Sequence, residues 1–171
     1  MRLFISTKKG FSLLEMIVVM LLVGIMAALA GVGYVQVVRG MLFTKMNAAT
    51  IQKGEITITK LVKEFNNINI SSIDPGTTNA TSITFISVKD IGPSSHTVAL
   101  SGSTITFDGD ILTDQVSDFS LKYYDNFDST SETTCGTTWQ SSRRIIEITL
   151  KLKGADDVIS EFKVRVKPRN S

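Results

Sequence analysis

One acidic residue, Glu15, stands at the start of the most apolar part of the chain. Residues 16–35 contain no charged or amide side chain, and about 20 such residues in a helix cross the roughly 30 Å hydrocarbon core of a bilayer. A carboxylate at the edge of such a helix is costly unless it has a partner. Glu15 is therefore a candidate functional residue, and the chemistry open to it is pairing with a cation where the dielectric constant is low.

The charges around this apolar segment predict its orientation. No acidic residue precedes Glu15, whereas three basic residues do: Arg2, Lys8 and Lys9. Because positive charge is retained on the cytoplasmic side of a membrane, residues 1–10 are predicted to stay in the cytoplasm and the chain beyond residue 38 to be exported. Residues 1–10 then form a leader and residues 11–38 a transmembrane helix.

The order of residues at this boundary is specific. Lys8-Lys9-Gly10-Phe11, with Glu15 four positions further on, resembles the class III signal of the type IV pilin and type II secretion pseudopilin superfamily. The resemblance implies that a prepilin peptidase cleaves between Gly10 and Phe11 and N-methylates the new amine. It also implies that Glu15 pairs with the amine of a neighbouring subunit as subunits stack.

The resemblance further implies partners and location. The expected partners are other pilin or pseudopilin subunits, the prepilin peptidase and the bacterial inner membrane, with the head in the periplasm. A structural, non-enzymatic subunit without cofactor or metal is expected.

Two simpler interpretations of the N-terminus compete. A secretory signal peptide also has a basic start and an apolar centre, and Ala28-Leu29-Ala30 offers a small-x-small cleavage site. A carboxylate within the apolar region is unusual for such a peptide, and the largely apolar run continues to residue 38. A plain membrane anchor is the second alternative.

The composition of the remaining chain limits its function. At 171 residues the chain accommodates the membrane helix and one small polar domain. The net charge of +2 is small and its charges are interspersed, so nucleic acid is not a predicted partner. Cys135, the single cysteine, cannot close an internal disulfide. Many major pilins have one, so this departure favours a minor pilin or a pseudopilin; an unpaired thiol is the simple interpretation and an intermolecular bridge the alternative.

The apolar pattern predicts that the helix continues beyond the membrane, through residues 39–65, as an amphipathic segment whose second half lies on a sheet. Its apolar residues recur every three to four positions: Val38, Leu42, Met46, Ala49, Ile58, Leu61, Val62 and Phe65. A helix over 11–65 would be about 80 Å long. Within the membrane part, Gly24, Ala28 and Gly31 form a small-residue face that would let another helix approach closely.

Residues 66–171 are predicted to form a β-rich head. Alternation of apolar and polar residues predicts strands at 82–88, 96–100, 103–107, 116–124, 144–153 and 158–167. Turn residues separate several of them, at 101–102, 108–110 and 154–157, and residues 126–142 are interpreted as a long excursion. The predicted fold class is α+β, with one mainly antiparallel sheet packed on the C-terminal half of the long helix.

Later segments of the head also resemble minor pilins and J-type pseudopilins. These segments are residues 116–125, Trp139, the pair Arg143-Arg144 before a strand, and the basic C-terminal strand and tail 162–170.

Three other hypotheses remain open. An enzyme would need a site, but His96 is the only histidine and no nucleophile elbow, phosphate loop or metal-ligand spacing is present. A calcium loop could use Asp108, Asp110 and Asp114, although turn formation explains them more simply. The third hypothesis is a single-pass, membrane-anchored binding protein that does not polymerise.

Overall fold

The computed structural model describes residues 10, 12–90, 92, 94–128 and 135–169. One helix, α1, runs from Leu13 to Phe65 and confirms the predicted long helix. No proline precedes Pro75, and the terminal charges suit the helix dipole, with Glu15 in the first turn and Lys63 in the last. The chain divides into two compact units, Met1–Phe43 and Thr44–Ser171, and α1 contributes to both.

The second unit contains two antiparallel sheets of four strands each. The first has the order β1-β2-β3-β4 and consists of β1 (Ser82–Ile86), β2 (Ser95–Ser101), β3 (Thr104–Phe107) and β4 (Asp110–Thr113). The second has the order β6-β5-β7-β8 and consists of β5 (Val116–Tyr124), β6 (Cys135–Gly136), β7 (Ile145–Lys153) and β8 (Ile159–Val166). The antiparallel α+β class is confirmed.

The prediction of one sheet is wrong. Between β4 and β5, Gln115 adopts a positive φ of 59°, and the chain passes there from one sheet to the other. The predicted strand at 116–124 has the observed bounds, and the other five predicted strands differ by one or two residues at their ends.

Two short strands were not predicted. Asp108 and Gly109 have φ of 54° and 90° and form a two-residue hairpin turn, so Asp110 begins β4 and does not belong to the turn. The strand β6 lies inside the predicted excursion 126–142, where Cys135 and Gly136 pair with Tyr124 and Tyr123.

The core lies between the sheets and the C-terminal end of α1. On β7, the apolar residues of the alternating pattern are all buried: Ile146, Ile148, Leu150 and Leu152. Phe65 of α1 meets Phe85 of β1 edge to face, with ring centroids 5.8 Å apart. Each large apolar side chain buried in this way contributes roughly 1.5–3 kcal/mol.

Within the head, α1 packs through two kinds of residue. Leu61 and Phe65 are fully buried, and Ile58 and Val62 pack partly buried against the core, so the predicted second half of the apolar stripe is confirmed. Towards the N-terminus of this packed face, the buried residues are instead Thr50, Gly54 and Thr57.

The buried threonines are compatible with a core because their hydroxyls are satisfied within the helix. Thr50 Oγ1 donates to the carbonyl of Met46 at 3.1 Å, and Thr57 Oγ1 donates to the carbonyl of Lys53 at 2.8 Å. Gly54 is required by a close approach, because a Cβ at this position would overlap the Phe162 ring of β8. This contact was not predicted from the sequence.

Candidate functional site

The predicted processing site lies at the start of the described chain. Gly10 is exposed, whereas Lys8, Lys9 and Phe11 lie outside the described residues. The first helical hydrogen bond joins the Met16 amide to the Ser12 carbonyl at 3.2 Å. The helix therefore begins at Leu13, shortly after the predicted cleavage position.

Glu15 lies in the first turn of α1. Its side chain is exposed, and the helix dipole favours a negative charge in this turn. Within the described residues, no hydrogen bond or ion pair to the Glu15 carboxylate is present. The carboxylate is therefore open to a cation supplied from outside the described part of the chain.

The helix that follows Glu15 exposes an apolar surface all round. Residues 13–37 are all exposed, and they include large side chains such as Leu13, Leu22 and Leu29. By length and composition, α1 is able to cross a membrane. An apolar surface of this extent requires apolar surroundings, which a bilayer or other apolar helices provide.

The small-residue face of α1 is open in this structure. Gly24, Ala28 and Gly31 are spaced four and three residues apart, so they share one side of the helix. A Cβ added at Gly24 or at Gly31 would meet no atom within 4 Å. Another helix could therefore approach the backbone closely there.

His96, the candidate of the enzyme hypothesis, lies between two carboxylates. Its Nδ1 is 2.5 Å from Asp108 Oδ2 and its Nε2 is 2.7 Å from Asp90 Oδ2. The hydrogen bond to Asp108, followed by that to Asp90, raises the pKa of the imidazole above 6.5 even though burial lowers it. The ring stacks on Phe107 with centroids 5.4 Å apart. Both ring nitrogens are occupied, which does not suit a general base.

The carboxylates of the calcium hypothesis are not brought together. Asp108 contacts His96, and Asp114 pairs with Lys53 of α1, which lowers the pKa of Asp114. Asp110 begins β4. Among the described residues, no group of three or more histidine, cysteine, aspartate or glutamate side chains could hold a metal ion. The Cys135 thiol lies outside the described part of the chain, and the predictions about it stay predictions.

The head also contains a buried carboxylate that sequence reasoning missed. In the alternating pattern of its strand, Glu147 falls on the face opposite Ile146 and Ile148, yet it is only 1 % exposed. It accepts from Arg165 Nε at 2.7 Å and from Lys163 Nζ at 3.1 Å, and the Tyr124 hydroxyl donates to it at 3.2 Å. Burial raises the pKa of Glu147, but the bonds from Arg165 and Lys163 outweigh burial, and the net pKa lies below its ordinary value.

This network attaches the start of the long excursion to the sheet. Arg165 lies over the Tyr124 ring, 4.4 Å from its centroid, and also donates through Nη1 to the carbonyl of Phe127. Glu147 and Arg165 have opposite charges and lie at paired positions of β7 and β8. This charge complementarity is the feature of the sequence that could have indicated their contact.

Arg143 has an equivalent role at the other end of the excursion. It is buried, with 8 % of its surface exposed, and Nη1 donates to the Tyr123 carbonyl at 2.7 Å. Its guanidinium occupies the space where a Cβ of Gly136 would lie, and Trp139 meets the Tyr123 ring edge to face at 5.6 Å. The described ends of the excursion are thus held by side-chain contacts.

Comparison with known proteins bears on the N-terminal segment. No curated protein and no solved structure matches the chain. Residues 5–31 match the family model of the prokaryotic N-terminal methylation motif. This match spans the predicted cleavage position, Glu15 and the small-residue face. It marks the N-terminus as a type IV pilin-like or pseudopilin-like prepilin signal.

Proposed function

We propose that the chain is the precursor of a minor pilin or pseudopilin, a structural subunit that assembles into a type IV pilus or a type II secretion pseudopilus. The observation that carries this proposal is the methylation-motif match over residues 5–31. It coincides with an apolar helix whose first turn contains Glu15, a carboxylate without a partner among the described residues.

The proposed sequence of events follows from the charges. The leader, residues 1–10, stays in the cytoplasm while residues 11–38 span the inner membrane and the head lies in the periplasm. Prepilin peptidase cleaves the peptide bond between Gly10 and Phe11 and methylates the new amine. Cleavage removes Lys8 and Lys9 and creates a cation at the membrane boundary, four residues from Glu15.

Pairing between subunits then drives assembly. Glu15 and the amine of Phe11 are each costly to desolvate alone, and together in low dielectric they offset much of that cost. The open face of Gly24, Ala28 and Gly31 supports close packing of adjacent helices in the fibre. In this proposal, α1 serves first as a membrane anchor and then as part of the fibre core.

A minor subunit is favoured over a major one by the single cysteine, which leaves the head without an internal disulfide. The head has a further means of holding its excursion, the Glu147 and Arg143 contacts. The alternative function is a single-pass, membrane-anchored binding protein that does not polymerise. Assembly is favoured by the open small-residue face and by Glu15, which has no partner within the described part of the chain.

Processing is tested by expressing the full chain with a prepilin peptidase and determining the N-terminus of the product by mass spectrometry. We expect a mature chain that begins at N-methylated Phe11, and Gly10→Val should leave the precursor uncut. Gly33→Val is the matched control, since a Cβ at Gly33 meets no atom within 4 Å, and it should be cleaved normally. A mature chain beginning at Gly31 would establish a conventional signal peptide and overturn the proposal.

A further inference from the structure

The two hydrogen bonds of the His96 ring require a particular protonation state, because each bond needs a donor. Carboxylate oxygens accept hydrogen bonds and do not donate them, so each ring nitrogen that bonds to an ionised carboxylate must bear a proton. Both nitrogens of His96 are bonded in this way, to Asp108 at 2.5 Å and to Asp90 at 2.7 Å. The ring that makes both bonds is therefore the imidazolium cation, because neutral imidazole has one N–H.

The two carboxylates belong to different connections of the first sheet. Asp90 follows β1, His96 lies on β2, and Asp108 lies in the turn between β3 and β4. Among the described residues, Lys89 precedes Asp90 in the chain, and Lys60 of α1 has its Nζ 5.3 Å from the centroid of the Phe107 ring on which His96 stacks. The cation thus joins the chain after β1 to the β3–β4 turn.

The two carboxylates that bond to His96 differ in how firmly other hydrogen bonds hold them in place. Asp108 is held independently of His96, because its Oδ1 accepts from the Thr97 amide at 2.7 Å and its own amide donates to the Thr97 carbonyl at 2.9 Å. Within the described part of the chain, the Asp90 carboxylate bonds to His96 and has no second hydrogen bond. When the ring loses one proton, the Asp108 bond should persist and the Asp90 bond should break.

We propose that Asp90, His96 and Asp108 form a proton-dependent clamp that closes on the imidazolium and releases the chain at Asp90 when the ring becomes neutral. The raised pKa of His96 agrees in direction. A group whose pKa is raised in the folded state stabilises fully below its unfolded value, here 6.5, and this contribution is lost as pH rises through the folded pKa. The clamp is therefore closed in acidic surroundings and opens in alkaline ones.

The test uses the full chain in detergent micelles with isotopically labelled histidine. Because His96 is the only histidine, its imidazole resonances are assigned without ambiguity. We expect a titration midpoint above 6.5 in the wild type, and a midpoint lowered in both Asp90→Asn and Asp108→Asn. Asp110→Asn, two residues from Asp108 and exposed, is the matched control and should leave the midpoint close to the wild-type value.

The nitrogen shifts of the neutral ring identify the bond that breaks. We expect the remaining proton on Nδ1, which faces Asp108, and the thermal unfolding midpoint of the wild type should fall above pH 6.5 more steeply than that of Asp90→Asn. The clamp would be overturned if the titration midpoint of His96 in the wild type lay at or below 6.5. It would also be overturned if this titration midpoint were the same in the wild type, Asp90→Asn and Asp108→Asn. A remaining proton on Nε2 would overturn the release at Asp90.

Discussion

The two ends of α1 use apolar side chains in opposite ways. Residues 13–37 are rich in large apolar side chains and all of them are exposed. In the head, the buried residues of α1 are fewer and smaller, Thr50, Gly54 and Thr57, followed by Leu61 and Phe65. The apolar side chains of residues 13–37 therefore contact the surroundings of the protein, whereas the buried side chains between Thr50 and Phe65 contact the protein's own sheets. Hydrophobicity alone does not show which part of this helix is packed in the head; contact with β8 and the core does.

Truncation should give the largest effect. A chain beginning at Thr44 retains all the packed residues of α1 and should fold and unfold cooperatively in water. A chain beginning at Asn66 loses Leu61 and Phe65, each worth roughly 2–5 kcal/mol, which is comparable in sum to the whole stability of a small domain. Circular dichroism during denaturant unfolding measures both chains. Cooperative unfolding of the shorter chain would show that α1 is not needed for the head.

The close approach at Gly54 should give the next largest effect. Glycine to alanine in a helix interior normally stabilises by about 1 kcal/mol, but here the added methyl overlaps the Phe162 ring. We expect Gly54→Ala to destabilise the head by about 1–3 kcal/mol, measured by denaturant unfolding of the full chain in micelles.

Two variants isolate this contact. Gly40→Ala, where a Cβ meets no atom within 4 Å, should show no loss. Combining Gly54→Ala with Phe162→Ala should give a smaller total cost than the sum of the single variants. Equal stability of Gly54→Ala and the wild type would contradict the observed packing of α1 on β8.

The smallest effect concerns a polar contact between α1 and the sheet within the head. Asn47 Oδ1 accepts from the Ala155 amide at 2.9 Å, which attaches α1 to the turn between β7 and β8. Asn47→Ala should destabilise the head by about 1 kcal/mol, detected as a shift in the denaturant midpoint. The exposed pair of Lys53 and Asp114 is the comparison, since Asp114→Asn should cost less than 1 kcal/mol. A larger loss from Asp114→Asn than from Asn47→Ala would reverse this ranking.

The apolar N-terminal part of α1 and six of the strands were predictable because each is determined locally. A bilayer requires about 20 consecutive apolar residues, and a half-buried strand requires alternation, which β7 shows from Ile146 to Leu152. Glu15 was identifiable because a carboxylate is conspicuous in such a run. These features do not depend on what the distant chain does.

The features that were missed depend on distant contacts. The chain passes from one sheet to the other at Gln115, which has a positive φ but is not a residue type that signals a turn. Glycine is required at position 54 because the Phe162 ring of β8 packs there, and the sequence does not show which strand crosses the helix. The burial of Glu147 depends on Arg165 and Tyr124, which contact its carboxylate. The hairpin Asp108-Gly109 was recognisable as a turn, but not the role of Asp108 beside His96.

The most direct test of the account is Glu15→Gln, which preserves size and polarity but cannot neutralise the N-terminal amine. Membrane insertion and cleavage after Gly10 should be normal, because neither requires the charge. The matched control is Glu55→Gln, an exposed glutamate on the head part of α1.

The measurement is the fraction of mature subunit recovered in sheared fibres or cross-linked to neighbouring subunits in the native host. The account predicts that Glu15→Gln lowers this fraction more than about tenfold, since leaving one charge of a desolvated pair unpartnered costs about 3–5 kcal/mol, while Glu55→Gln leaves it unchanged. Assembly of Glu15→Gln at the wild-type level would contradict charge pairing as the basis of assembly.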